Sequence, residues 1–188
     1  MKPAVIIVDM LKDNADIGAS FSIGEEGRKI IPNLQHLLAT AREKNIPVIF
    51  ACDSFLEGDF IFQSGMKPHC IRGTPGAEVI SELQPQDSDI MLPKRRFSAF
   101  FKTDLDMTLR LLGVDTIVVG GISTPGCVMF TAFDGISNDF EAIILEDCCA
   151  AHKAEIHEKA LSLYKEMLLI EVISLTEFIF RMESVKKE

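Results

Sequence analysis

The stretch DTIVVGGISTPGCV, residues 115–128, joins an apolar run to a turn of small residues and reaches a cysteine. The run over 115–121 is rich in β-branched residues and nearly continuous in apolar ones, which is typical of a strand buried on both faces of a parallel sheet. A proline and a glycine follow, and an amphipathic pattern then extends over 125–138. The stretch predicts a strand, a tight turn, and a helix that begins close to Cys127.

The rest of the chain repeats this alternation. Apolar runs predict strands over 4–9, 47–52, 89–94, 115–121, 141–147 and 168–175. Amphipathic segments predict helices over roughly 25–45, 103–112, 125–138 and 153–167. Such alternation gives a parallel sheet with helices on both faces. We therefore predict one α/β domain, residues 1–188, with a doubly wound sheet of about six strands.

The segment 53–80 does not follow the alternation. It is rich in glycine, proline and phenylalanine and has no clear periodicity until its end. Loops of this length in compact domains are usually functional, so we predict a lid or a pocket wall. An ordered surface excursion is the alternative.

Composition argues against several kinds of partner. The net charge is −9 and the pI is near 5.0, whereas nucleic acids and anionic membranes require a concentrated positive surface. No apolar stretch approaches the roughly 20 residues that span a bilayer, and the first residues do not resemble a signal peptide. We expect a cytoplasmic protein without nucleic-acid or membrane partners. The 13 phenylalanines favour buried faces between subunits and so a homo-oligomer.

The cysteines indicate neither a disulfide framework nor a zinc ribbon. Their number is odd, their spacing is irregular and no CxxC occurs. No phosphate-binding or dinucleotide motif is present either. The five are Cys52, Cys70, Cys127, Cys148 and Cys149.

Three chemically different residues come at the ends of predicted strands. Asp9 ends the first strand, Lys94 ends the third, and Cys127 follows the fourth. Singly, they have ordinary explanations as a turn former, a solvated charge and a packed thiol. Ligands of doubly wound sheets bind beyond the carboxyl ends of the strands, so we expect the three to meet there. A helix N-terminus and a nearby lysine both favour thiolate, so we expect Cys127 to have a lowered pKa and to act as a nucleophile.

These residues resemble those of the isochorismatase-like cysteine hydrolases, a family that includes nicotinamidases and N-carbamoylsarcosine amidase. The resemblance covers nearly the whole chain. The form STPGCV, with glycine directly before the cysteine, is most similar to the N-carbamoylsarcosine amidase branch. The resemblance is carried by VIIVDM around Asp9, HCIRGTPGAEVI at 69–80, and KRRFSAFFKTDLDMTLRLLGVDTIVVGGISTPGCV at 94–128.

The resemblance implies a catalytic triad. Cys127 matches the nucleophile, Asp9 the general acid and base, and Lys94 the third member. The bond between Ile122 and Ser123 matches an unusual cis peptide of the family. The backbone N–H groups of Ser123 and Cys127 would then form the oxyanion hole.

Four residues are candidates for substrate binding. Thr124 matches a position that lines the substrate site in the N-carbamoylsarcosine amidase branch. Phe55 stands where nicotinamidases have the first histidine of their metal site. Arg95 and Arg96 would present a guanidinium to a substrate carboxylate, and the alternative is that both are solvated.

The metal site of nicotinamidases is incomplete in this sequence. Asp53 and His69 match two of its positions, but Phe55 cannot ligate a metal. Asp59 is the carboxylate that would substitute as an oxygen ligand. We therefore expect no required cofactor, with a divalent metal such as zinc on Asp53, Asp59 and His69 as the alternative.

Together these residues predict a hydrolase that cleaves a C–N bond of a small amide or N-carbamoyl (ureido) compound and releases ammonia. A nicotinamidase is one alternative. An isochorismatase-type vinyl ether hydrolase is another, although that chemistry needs the aspartate and no thiol. A non-catalytic binding protein on the same fold is the third, and it would be expected to have lost a member of the triad.

Overall fold

The computed structural model describes residues 1–16, 18–19, 21–167 and 169–184. Six strands form one sheet, and every neighbouring pair in it is parallel. The predicted α/β class with a doubly wound parallel sheet is confirmed. The strands are β1 (Pro3–Val8), β2 (Val48–Asp53), β3 (Ile90–Lys94), β4 (Thr116–Ile122), β5 (Glu141–Ala150) and β6 (Glu171–Ile173).

The strand order across the sheet is β3-β2-β1-β4-β5-β6. The chain builds outward from β1 to β3, returns to the other side of β1, and builds outward again. This reversal places a crevice at the carboxyl ends of β1 and β4, the point at which such sheets bind ligands. The run predicted over 168–175 forms a strand only over Glu171–Ile173, and Leu168 lies outside the described residues.

The helices of the described residues are α1 (Lys12–Ala15), α2 (Glu25–Lys29), α3 (Ile31–Glu43), α4 (Leu105–Leu111), α5 (Met129–Ser137), α6 (Ala154–Met167) and α7 (Leu175–Ser184). Buried side chains of α3 and α7 pack on one face of the sheet, and those of α4, α5 and α6 pack on the other. Along β1, Val5 and Ile7 belong to the first core, whereas Ala4, Ile6 and Val8 belong to the second. Both faces of the strand are buried, which explains its nearly continuous apolar sequence.

The helices differ from the sequence prediction at four places, the first being the short helix α1, which was not predicted. The pattern over 25–45 is divided at Ile30, and Pro32 lies in the first turn of α3, where its missing N–H is tolerated. The helix predicted over 125–138 starts with an irregular π turn, Thr124–Val128, before α5. The helix α7 was not predicted, since its apolar positions directly follow those of β6.

Gly121 allows β4 to approach β1 closely at the reversal point. It pairs with Val8 and has a φ of 110°, a conformation that residues with a side chain rarely adopt. A Cβ at this position would lie 2.2 Å from the carbonyl oxygen of Val8. Glycine is therefore required at the end of β4, just before the turn that carries Cys127.

None of the helices in the described part of the chain has the length and apolar character needed to cross a membrane.

Candidate active site

Asp9 is held in a bend directly after β1. Its side chain is buried, and its φ of 53° lies in a region that is uncommon for residues other than glycine. Its carbonyl oxygen accepts hydrogen bonds from Asn14 Nδ2 at 3.1 Å and from the Leu11 N–H at 2.8 Å. The carboxylate Oδ1 accepts the N–H of Asp53 at 2.8 Å. These contacts fix the carboxylate beyond the end of the sheet, with Oδ2 left for other partners.

Lys94, the last residue of β3, places a buried ammonium between two carboxylates. Its Nζ lies 2.8 Å from Asp9 Oδ2 and 2.6 Å from Asp53 Oδ1, and it donates to the carbonyl oxygen of Arg96 at 3.1 Å. The register of β2 and β3 places Asp53 opposite Lys94, so the backbone itself brings this pair together. A buried charge is stable only when it is paired and hydrogen-bonded.

Electrostatics keep Lys94 charged in spite of its burial. Burial by itself lowers the pKa of the Lys94 ammonium, but Asp53 and Asp9 outweigh that effect and raise its pKa well above the ordinary value. Burial, followed by the charge of Asp9, raises the pKa of Asp53, and Lys94 opposes both. The cluster thus contains one permanent cation that stabilises the carboxylates around it.

Cys127 lies beside this cluster. Its Sγ and carboxylate oxygens of Asp9 and Asp53 all lie within 4.8 Å of one another. All five cysteines are free, and Cys127 is the only one that is half-buried instead of buried. The peptide bond between Ile122 and Ser123, just before the π turn, is cis. The structure therefore brings Asp9, Lys94 and Cys127 to one place, as the strand ends indicated.

The pKa of the Cys127 thiol is raised well above its ordinary value, so the expectation of a lowered pKa is wrong for the free protein. Burial is the largest cause; Asp9 and Asp53 add to it, and Lys94 opposes it. One ammonium shared between two carboxylates does not outweigh their charge and the loss of water. The resting form is a thiol, and a base must accept its proton when the sulfur attacks.

A pocket of about 190 Å³ opens above these groups. Its polar lining includes Asp9, Asn14, Asp53 and Ser123, together with Cys127. Side chains of the segment 53–80 supply much of the opposite wall, which confirms the prediction of a pocket wall. The apolar lining consists of Phe21, Ile23, Phe55, Ile61, Met66, Phe97 and Ile122.

His69 is part of an aromatic cluster on that wall. Its ring stacks on Phe21 with 3.9 Å between the ring centroids and meets Phe55 and Phe62 edge-on. Its Nδ1 lies 2.8 Å from the Lys67 carbonyl oxygen, which only accepts, so Nδ1 carries the proton. Burial lowers the pKa of His69, so the ring is neutral and its Nε2 holds a lone pair.

Thr124 does not line the pocket, which corrects its prediction as a substrate-binding residue. The π turn directs this fully buried side chain toward α6, where Thr124 Oγ1 lies 2.8 Å from His157 Nδ1. The hydroxyl of Tyr164 donates to the Thr124 carbonyl oxygen at 2.5 Å. Thr124 therefore anchors the Cys127 turn to α6.

Arg95 and Arg96 are also outside the pocket, which corrects their prediction as carboxylate-binding residues. Both guanidinium groups bind Asp59, through Arg95 Nη2 at 2.6 Å and Arg96 Nη1 at 3.3 Å from Oδ1. Lys94 is buried, whereas the side chains of Arg95 and Arg96 are 46% and 38% exposed. Of the four predicted substrate-binding residues, Phe55 alone lines the pocket.

The proposed metal ligands Asp53, Asp59 and His69 do not form a metal site. Asp59 is engaged by two arginines, and Asp53 is paired with Lys94. Among the described residues, only Asp9, Asp53 and Cys127 bring three potential ligand atoms within 4.8 Å of one another. The Lys94 ammonium already lies between two of these, where a second cation would be repelled. The donor set does not fit a divalent metal.

Sequence reasoning missed the part that Asp53 plays. Its side chain binds Lys94 and its N–H orients Asp9, yet the sequence suggested it only as a metal ligand. A signal was present, because Asp53 directly follows the predicted strand 47–52, close to where Asp9 and Lys94 end theirs. Phe21 and Phe97 carried no signal, since they come from irregular segments.

Comparison with known proteins identifies the family that the sequence motifs resemble. The family model described as Isochorismatase domain matches residues 3–177. An isochorismatase-like hydrolase from Alkaliphilus metalliredigens superposes with a TM-score of 0.91 at 32% identity, covering 96% of this chain and 99% of that one.

Two further relatives are named as different kinds of protein, one as an amidase and the other as an inactive nicotinamidase. An N-carbamoylsarcosine amidase from Thermoplasma acidophilum has a TM-score of 0.82 at 30% identity, over 93% of this chain and 97% of its own. A probable inactive nicotinamidase from Arabidopsis thaliana is 32% identical over 82% of this chain and 83% of its own.

The state of the Cys127 thiol is tested by its alkylation with iodoacetamide. We expect Cys127 to react faster than the four buried cysteines, at a rate that increases about tenfold per pH unit through the neutral range, because only the thiolate reacts and its pKa is raised. Peptide mapping of quenched samples gives the rate at each cysteine, and Cys149 is the buried control. A rate at Cys127 that does not change with pH near neutrality would show a preformed thiolate and contradict the raised pKa.

Proposed function

Since this chain belongs to the isochorismatase family, we propose that it is a cysteine-dependent amidohydrolase that cleaves the C–N bond of a small amide or ureido compound and releases ammonia. The observation that carries the proposal is that a half-buried thiol and a buried carboxylate, Cys127 and Asp9, line one pocket, while the buried ammonium of Lys94 lies 2.8 Å from that carboxylate. These are the nucleophile, the base and the counter-charge that acyl transfer requires.

In the first half of the reaction, Asp9 accepts the proton of Cys127 while the sulfur bonds to the substrate carbonyl carbon. The carbonyl electron pair moves to the oxygen, and the backbone N–H groups of Ser123 and Cys127 would hold the resulting oxyanion. The oxyanion then re-forms the carbonyl and the C–N bond breaks. Protonated Asp9 gives its proton to the departing nitrogen, so ammonia leaves and a thioester remains.

In the second half, Asp9 accepts a proton from water as the water oxygen attacks the thioester carbonyl. Collapse of this intermediate breaks the C–S bond, and the proton on Asp9 passes to the sulfur. The acid is released and the thiol is restored. One water is consumed and one ammonia is formed for each amide bond cleaved.

Lys94 and Asp53 would act through Asp9. The ammonium lies against both carboxylates and compensates their charge in a site with little water. The Asp53 N–H fixes Oδ1 of Asp9, which directs Oδ2 toward the ammonium and the thiol side of the cluster. Removing Lys94 would leave two buried carboxylates without a counter-charge.

The pocket favours an uncharged, apolar acyl group over a carboxylate. Its walls are mainly aromatic and aliphatic, and in the described residues none of its lining side chains is an arginine or a lysine. Arg95 and Arg96, on which a preference for carboxylates would depend, face Asp59 outside it. A carboxylate in this pocket would be buried near Asp9 and Asp53 without a partner.

A nicotinamidase activity is a second candidate, because aromatic walls suit a planar ring. The stacked pair of His69 and Phe21 is the observation that favours it. Without a metal in the site, a ring nitrogen would need a hydrogen-bond donor, and neutral His69 offers an acceptor at Nε2. We therefore place simple apolar amides ahead of pyridine carboxamides.

The nucleophile is tested by comparing Cys127→Ala with Cys149→Ala. We expect Cys127→Ala to lower ammonia release at least about a thousandfold while the protein stays folded, because the attacking atom is lost and alanine fits the space. Cys149→Ala removes a thiol buried away from the pocket and is expected to keep near-normal turnover. A folded Cys127→Ala variant with unchanged turnover would exclude the covalent route.

The substrate class is tested with a panel of amides. We expect a higher kcat/KM for uncharged amides with a small apolar acyl group than for N-carbamoyl amino acids, because the pocket has no partner for a carboxylate. The Arg95→Gln/Arg96→Gln variant serves as the control and should keep the same order of preference. Preferential hydrolysis of carboxylate substrates that is lost in this variant would show that the arginines reach the pocket.

A further inference from the structure

A second cavity lies on the outer side of the strand end that carries Lys94. It has a volume of about 310 Å³ and is separate from the catalytic pocket, since the two share none of their lining residues in the described part of the chain. It is formed where the end of β3 faces the loop around Arg72 and the turn that precedes α4. The lining residues are Arg72, Pro93, Lys94, Arg95, Arg96, Phe101, Lys102 and Thr103.

The charge of this cavity is unlike that of the rest of the protein. Arg72, Arg95, Arg96 and Lys102 bring four cationic side chains to one concave surface, in a chain whose net charge is −9. The Lys94 ammonium is not available, because it is paired with Asp9 and Asp53. Such crowding of like charges is unfavourable unless an anion accompanies it.

One buried carboxylate holds two of the four cations side by side. Asp59 is 3% exposed and accepts Arg95 Nε at 3.1 Å and Nη2 at 2.6 Å, with Arg96 Nη1 at 3.3 Å. The N–H of Leu56 fixes Asp59 Oδ2 at 2.8 Å. Asp59 therefore orders the two guanidinium groups and neutralises only one of them.

The other two cations keep their full charge. Arg72 donates from Nε to Ser54 Oγ at 2.9 Å and from Nη2 to the Ser54 carbonyl oxygen at 3.4 Å, and both acceptors are neutral. The Lys102 ammonium lies 5.5 Å from the centre of the Phe101 ring. Within the described residues, neither Arg72 nor Lys102 forms an ion pair with a carboxylate.

We propose that this cavity binds a phosphoryl dianion, either as free phosphate or as part of a small phosphorylated metabolite. Guanidinium groups match the spacing of phosphate oxygens and bind them through paired, charge-assisted hydrogen bonds. A dianion offsets the excess positive charge, and the cavity is concave, which suits a small ligand better than a nucleic acid. The net negative charge of the chain also disfavours a polyanion.

Binding is measured by calorimetric titration with inorganic phosphate and, in a second arm, with glycerol 3-phosphate, both at constant ionic strength set with potassium chloride. The test variant is Arg72→Gln/Lys102→Gln, which leaves the Asp59 cluster intact. The control is Lys153→Gln/Lys159→Gln, which makes the same charge change at two exposed lysines at and near α6. The Cys127→Ala variant is titrated as well, since the proposed site does not depend on the catalytic function.

We expect saturable phosphate binding to the unmodified protein and to Cys127→Ala. Affinity should fall at least about tenfold in the test variant, because contacts to charged groups are lost, and stay unchanged in the control. Tighter binding of glycerol 3-phosphate would identify the ligand as a phosphorylated metabolite, and equal affinity would identify it as free phosphate.

Two results would overturn the proposal. One is the absence of saturable binding of either ligand to the unmodified protein. The other is an equal loss of affinity in the test and control variants, because that would show an effect of overall charge and not of a site.

Discussion

The buried ammonium of Lys94 between Asp9 and Asp53 is the interaction on which the site depends. The neighbouring parallel strands β1, β2 and β3 have their carboxyl ends on the same side of the sheet. Asp53 and Lys94 are the last residues of β2 and β3, and Asp9 directly follows β1, so two carboxylates and one ammonium meet there. Each of these charges would be unstable alone in this dry position. Together they fix the edge of the sheet and the orientation of Asp9.

The same interaction determines how the thiol must work. Since two carboxylates and burial outweigh one ammonium, Cys127 is a thiol at rest, and a base within a few ångströms must take its proton. A thiol of this kind reacts slowly with alkylating agents near neutral pH, because only a small fraction of it is thiolate. Under the proposed mechanism, the sulfur of Cys127 becomes a thiolate nucleophile only during attack, when Asp9 accepts its proton.

Much of the fold was predictable from the sequence, because strands buried on both faces leave a nearly continuous apolar record and the βα alternation fixes the parallel order. The meeting of Asp9, Lys94 and Cys127 followed from their positions at strand ends. The directions of the Thr124, Arg95 and Arg96 side chains could not be predicted in this way. An irregular turn and His157 determine the direction of Thr124, and Asp59 determines that of the two arginines. The raised pKa of Cys127 also depends on three-dimensional burial. The homo-oligomer and the cytoplasmic location stay predictions.

The central claim, a covalent acyl group on Cys127, is tested most directly by partitioning with hydroxylamine. The best amide substrate and an ester of the same acid are each turned over in the presence of hydroxylamine, and the ratio of hydroxamate to free acid is measured. The account predicts the same ratio for both substrates, since both pass through one thioester that water and hydroxylamine compete to cleave. Ratios that differ between amide and ester, or acid formation with no hydroxamate from either, would contradict a common acyl-enzyme.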